Sequence, residues 1–146
     1  MKDPHQIKVI TDSLNKEKEK YMHELMRINS LLTNKQSMAE KMQLYLNDYL
    51  NNKNLTVSKS IPGLHNNITQ FVKKMNSVIN QAEFEVETIL QIRTSVLEII
   101  EKINQKIDLM NIFDKKVKVD QIKKNEKQEQ NVIDDLAATL AGVDNE

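Results

Sequence analysis

One line of apolar residues recurs at every seventh position from Ile61 through Ile68, Met75, Ala82, Ile89, Val96, Ile103 and Met110 to Val117, and it restricts this chain more than any other feature. An α-helix turns once in about 3.6 residues, so a strict seven-residue stripe keeps facing one neighbour only if two helices wind around each other. Three positions after the first eight members runs a companion series, Leu64, Phe71, Val78, Glu85, Ile92, Ile99, Lys106 and Phe113, of which six are apolar. The pattern predicts a coiled-coil helix and requires a partner helix.

The first third of the chain supplies that partner. Asp3 stands as an N-cap, Pro4 at the first helical position and Gln6 three residues after the cap, which together mark a helix start. From there a second seven-residue line runs Ile7, Leu14, Tyr21, Ile28, Lys35, Met42 and Tyr49, with Ile10, Leu31, Met38 and Tyr45 as companions. Glu17, Glu24 and Lys35 interrupt the seam, whose middle is either weaker there or borrows neighbours such as Leu25 and Leu32.

Between the two lines, residues 51–63 hold one Pro, one Gly and a cluster of Asn and Ser, the composition of a turn. So short a connection returns the second helix antiparallel along the first. The expected architecture is all-α: one domain over residues 1–146, a long antiparallel two-helix coiled-coil hairpin with a C-terminal helical overhang. Helix 1 is placed at about 4–55, the turn at about 56–62 and helix 2 at about 63–141. Folding about Val57 sets Ile7 opposite roughly residue 107 and leaves Met110 onward projecting past the start of helix 1.

The overhang turns polar at Asp114, and residues 114–131 read as a solvated helix or linker. Apolar spacing then resumes with Val132, Leu136 and Leu140 beside Ile133, Ala137 and Ala141, and Gly142 is placed as a C-cap. An amphipathic stripe with nothing of the hairpin opposite it either folds back or docks on another protein, and docking is the expectation.

Composition removes several function classes. With no Cys there is neither a disulfide framework nor a thiolate metal site. The N-terminal residues lack the apolar core of a signal peptide, and no apolar run approaches the roughly 20 residues that span a bilayer, so a cytoplasmic protein is expected. Lys plus Arg equals Asp plus Glu at 21 each, with only Arg27 and Arg93 as arginines, which argues against a nucleic-acid face. His23-Glu24-Leu25-Met26-Arg27 resembles the start of a zinc-protease helix, but Arg27 stands where the second His is needed. His5 and His65 have no clustered ligands, and no Gly-rich phosphate loop occurs. The expectation is no enzyme, no catalytic residue, no metal, no cofactor and no small-molecule ligand.

Near the turn the apolar surface is wider than one seam needs. Met38, Met42, Tyr45 and Tyr49 line helix 1 beside Ala39, Leu46 and Leu50, and Phe71, Met75, Val78 and Ala82 line helix 2 beside Val72, Ile79 and Val86. The extra width is either a broad core stripe or an outward face for another protein, and Met and Tyr suit such a face as adaptable or amphipathic anchors.

Taken together, Tyr45-Leu46-Asn47-Asp48-Tyr49-Leu50-Asn51-Asn52, then Gln70-Phe71-Val72 and Met75, with Ile133-Asp134-Asp135-Leu136-Ala137 near the end, resemble the FliJ family of coiled-coil proteins of the bacterial flagellar export apparatus. Ala138, Thr139 and Leu140 depart from it, standing where the family often has basic residues. The resemblance implies a stalk inserted in the hexameric flagellar export ATPase and in contact with that ATPase's regulator. It also implies binding to the export gate protein of the membrane and recycling of export chaperones, at the flagellar base and peripheral to the inner membrane. By position it assigns Met38, Met42, Tyr45, Tyr49, Phe71, Met75, Val78 and Ala82 to the gate or chaperones. It assigns Ile7, Ile10, Leu14, Met110, Phe113, Val132, Ile133, Leu136 and Leu140 to the ATPase ring. A stalk or adaptor of a virulence-type secretion system, or a self-associating coiled coil, would share this pattern. A prefoldin-like subunit would need β-hairpins that residues 51–63 are too short to form.

Overall fold

A computed structural model describes residues 3–52 and 63–144, which form two α-helices packed against each other. α1 spans Pro4–Asn52 and α2 spans Leu64–Asp144; no strand occurs among the described residues. The expected turn at 56–62 and the last residues placed in helix 1, 53–55, lie outside the described residues.

Both helix starts have a local cause. The Asp3 carboxylate accepts the His5 backbone N–H at 3.0 Å, satisfying one of the donors that a helix start leaves open. The Asp3 carbonyl accepts the Ile7 N–H at 3.1 Å, so the chain enters α1 as its cap predicts. Gly63, at φ 86°, precedes α2 in the left-handed region that side chains other than Gly rarely adopt, and its carbonyl accepts the Asn67 N–H at 3.0 Å. Gly142 is no cap: α2 passes through it to Asp144 with ordinary helical backbone.

The chain divides into two compact units, residues 20–100 and residues 1–19 with 101–146. In the first, Ile28, Leu32, Ile89, Val96 and Ile100 form a buried cluster, with Tyr21, Leu25, Val86 and Leu90 packed against it. Facing residues are Tyr49 with Phe71, ring centroids 4.6 Å apart, and Lys35 with Glu85, 3.0 Å apart. Each pair of numbers adds to 120, the mark of antiparallel helices in one register.

In the second unit, Ile7, Ile103 and Met110 are buried, and Pro4, Ile7 and Thr11 share a cleft with Asn111, Asp114 and Lys118. Ile7 therefore faces the region of Phe113 and Asp114, about one heptad beyond the expected region of residue 107. A slip of seven residues keeps every apolar line facing its partner, so the seam pattern alone does not distinguish the two registers. The projecting part of α2 consequently begins later than expected. Val117 is still half-buried, and every described side chain from Lys118 to Gly142 is exposed. The polar stretch is nonetheless continuous helix, with Lys118 on Asp114 at 2.9 Å and Gln130 on Asp134 at 3.0 Å, both at the i, i+4 spacing.

Candidate functional site

In α1 every member of the seven-residue line is buried or half-buried, and so is every described member in α2. Their second seam line is the one four residues on, not three. On α1 it runs through Leu25, Leu32, Ala39 and Leu46, and on α2 through Val72, Ile79, Val86, Arg93, Ile100 and Ile107, all withdrawn from solvent. The alternative on α1 would turn Glu17 and Glu24 inward, and a buried unpaired carboxylate is costly. The chosen line carries Lys18 instead, which is half-buried, and a Lys can cover apolar surface with its stem while its charge stays in water.

This choice leaves the companion lines as a flank. Leu31, Met38 and Tyr45 of α1 are 37%, 48% and 59% exposed, and Leu64, Val78 and Ile92 of α2 are 39%, 46% and 49% exposed. Met38 and Val78 meet across one open cleft of about 410 Å³, lined also by Lys35, Met42, Ser77, Gln81, Ala82 and Glu85. The two flanks thus lie on the same side of residues 20–100 and form a shallow apolar strip with one ion pair set in it.

Lys35 and Glu85 were legible in the sequence only as interruptions of their lines. Their numbers add to 120, so in the observed register each break meets the other. A hydrogen bond from Lys35, reinforced by its charge, holds the Glu85 carboxyl below its ordinary value of 4.5. Arg27 hydrogen-bonds Glu24 on the outer surface, with Nε to Oε2 at 3.2 Å, and lowers the Glu24 carboxyl in the same way.

The residues assigned to the gate or chaperones divide by depth. Met38, Tyr45 and Val78 are exposed; Met42, Tyr49, Phe71 and Met75 are half-buried, with Phe71 against the Tyr49 ring; Ala82 is buried. Ala82 is a seam residue and not a contact surface, because it belongs to the buried seven-residue line. The residues assigned to the ATPase ring divide more sharply. Ile7 and Met110, at 2% and 7% exposure, are core between α1 and α2, and Ile10, Leu14 and Phe113 are half-buried beside them. The one-heptad register change draws in Met110 and Phe113, whereas Ile7, Ile10 and Leu14 are paired in either register. Val132, Ile133, Leu136 and Leu140 are 58–64% exposed on the part of α2 beyond the paired region.

Among the described residues no group of three or more His, Cys, Asp or Glu is arranged to hold a metal, and no helix is long and apolar enough to cross a membrane. Compared with known proteins, the chain matches no protein-family model, no curated sequence and no solved structure.

Proposed function

We propose that this protein is a cytoplasmic stalk of the FliJ type in a flagellar protein export apparatus. In this reading the exposed end of α2 docks in the hexameric export ATPase, while the apolar strip over Leu31, Met38, Tyr45 and Val78 meets the export gate or emptied chaperones. The observation that carries the reading is the tail of α2: Val132, Ile133, Leu136 and Leu140 are exposed on a helix that continues well past the start of α1. Exposed apolar side chains contribute mainly when a partner covers them, and a preformed helix presents them at fixed spacing.

The observed register sets where to cut. Because pairing runs through Val117, removing residues 119–146 spares the seam, whereas a cut at 114 would take part of it. The truncated chain is expected to keep its helical content over Pro4–Asn52 and residues 64–117 and to lose both binding to the cognate export ATPase and stimulation of it. Undiminished stimulation by the truncated chain would overturn the assignment of the tail to the ring.

A further inference from the structure

Period seven does not end with the seam. A second line, on the side of α2 turned away from α1, runs Ile112, Val119, Glu126, Ile133 and Leu140, and three residues after it come Lys115, Ile122, Glu129 and Leu136. Ile112, Val119, Ile122, Ile133, Leu136 and Leu140 are all between 49% and 64% exposed. Such a repeat again calls for a helix wound alongside, and α1 supplies none here.

Charge identifies the occupant. Residues 114–127 hold six Lys against Asp114, Asp120 and Glu126, a net of +3, whereas residues 128–142 hold Glu129, Asp134 and Asp135 with no Lys or Arg, a net of −3. A parallel copy would set Lys on Lys and Asp on Asp. An antiparallel copy sets the acidic half on the basic half.

We infer that the α2 tail pairs antiparallel with the tail of a second copy of this chain. In an antiparallel pair the layers alternate one line against the other, and here the facing numbers add to 255. Val119 meets Leu136 of the second copy, Ile122 meets Ile133, Glu126 meets Glu129, and Leu140 packs on the stem of Lys115. The same register drops Asp134 between Lys116 and Lys123 of the second copy, and Asp135 beside Lys118.

A Val, Ile or Leu side chain withdraws roughly 60–120 Å² of apolar surface on full burial, so ten of them amount to roughly 600–1,200 Å², the size of a weak or transient interface. The two Glu126–Glu129 layers at the centre weaken the pair further. The dimer is therefore a reversible one, forming in the micromolar range. It covers Ile133, Leu136 and Leu140, so it excludes any other partner from that stripe, and it goes beyond the ring-docking reading without depending on it.

The test uses the full chain, with no ATPase present. Sedimentation equilibrium is expected to show a monomer–dimer equilibrium. Glu126→Gln with Glu129→Gln should tighten it at least tenfold, and Ile133→Asp with Leu136→Asp should abolish it, both with unchanged helical content. The chain has no cysteine, so the register is readable by oxidation. Val119→Cys alone and Leu136→Cys alone should not cross-link, while a mixture of the two should, since only unlike positions come within disulfide distance. A strictly monomeric chain at several hundred micromolar, efficient cross-linking of either variant with itself, or a dimer that survives Ile133→Asp with Leu136→Asp would overturn the inference.

Discussion

Tyr45 and Leu46 are adjacent in sequence and lie on opposite sides of the question that the seam leaves open, which makes replacing each by Ala the most informative perturbation. Leu46 is 3% exposed and Tyr45 is 59% exposed. Burying a Leu side chain fully stabilises by about 1.5–3 kcal/mol, and large-to-small changes in cores add a cavity term that brings Leu→Ala to about 2–5 kcal/mol. A site between only two helices can partly collapse, so the lower part of that range, about 2–3 kcal/mol, is expected for Leu46→Ala. Tyr45→Ala removes a side chain that is mostly in water and replaces it with a better helix former, a gain of up to about 0.7 kcal/mol that offsets the lost contact. Its net effect should stay within about 1 kcal/mol. Urea denaturation followed by circular dichroism reads both changes as shifts in midpoint at constant slope. At about 2–4 °C per kcal/mol for a chain near this size, the melting temperature should fall by about 4–12 °C for Leu46→Ala and by no more than about 4 °C for Tyr45→Ala. Under the proposed function, binding to the export gate's cytoplasmic part should respond in reverse order, lost with Tyr45→Ala and retained in the folded fraction of Leu46→Ala. Equal destabilisation by both variants, or a larger loss from Tyr45→Ala, would show that the line three residues on is the true seam and would remove the strip from the surface.

Three further outcomes follow from the same geometry. Arg93 occupies the second seam line, and its Nε is buried without a hydrogen-bond partner, so Arg93→Leu is expected to stabilise by about 1–3 kcal/mol as a rise in melting temperature; a fall would mean that the guanidinium is better satisfied than its geometry indicates. Val96, 8% exposed in the central cluster, should tolerate Asp poorly, with a loss of about 3–5 kcal/mol measured by chemical denaturation, whereas Leu97→Asp, at a position 42% exposed, should cost far less. The Glu85 carboxyl is held below its ordinary 4.5, so the stability it contributes is present above that value and is lost as pH falls through its lowered folded value; Glu85→Gln should flatten this part of the acid limb, and an unchanged pH profile would show that Lys35 does not act on it.

The seven-residue lines were fully legible: Ile7 to Tyr49 and Ile68 to Val117 turn inward at every described member, because a stripe of strict period can be covered only by another helix. The start of α1 was legible too, since Asp3 and Pro4 act within a single turn and need nothing distant. Two features were not. The lines three and four residues on hold equal numbers of apolar residues in α1, four of six each, so only packing decided that Leu32 and Leu46 go in while Leu31, Met38 and Tyr45 stay out. Of the residues assigned to the gate or chaperones, Met38, Tyr45 and Val78 accordingly face solvent and Ala82 does not. The register was the second. A shift of one heptad leaves every inward side chain inward, and local chemistry carries no memory of which heptad faces which. That decision moved Met110 into the core and confined the part of α2 that projects beyond α1 to the residues after Val117. The sequence by itself determined that two helices must pair and which line of each faces the other, because period is a local property. Tertiary structure alone decided the flank and the register, because both depend on the fit of two distant surfaces.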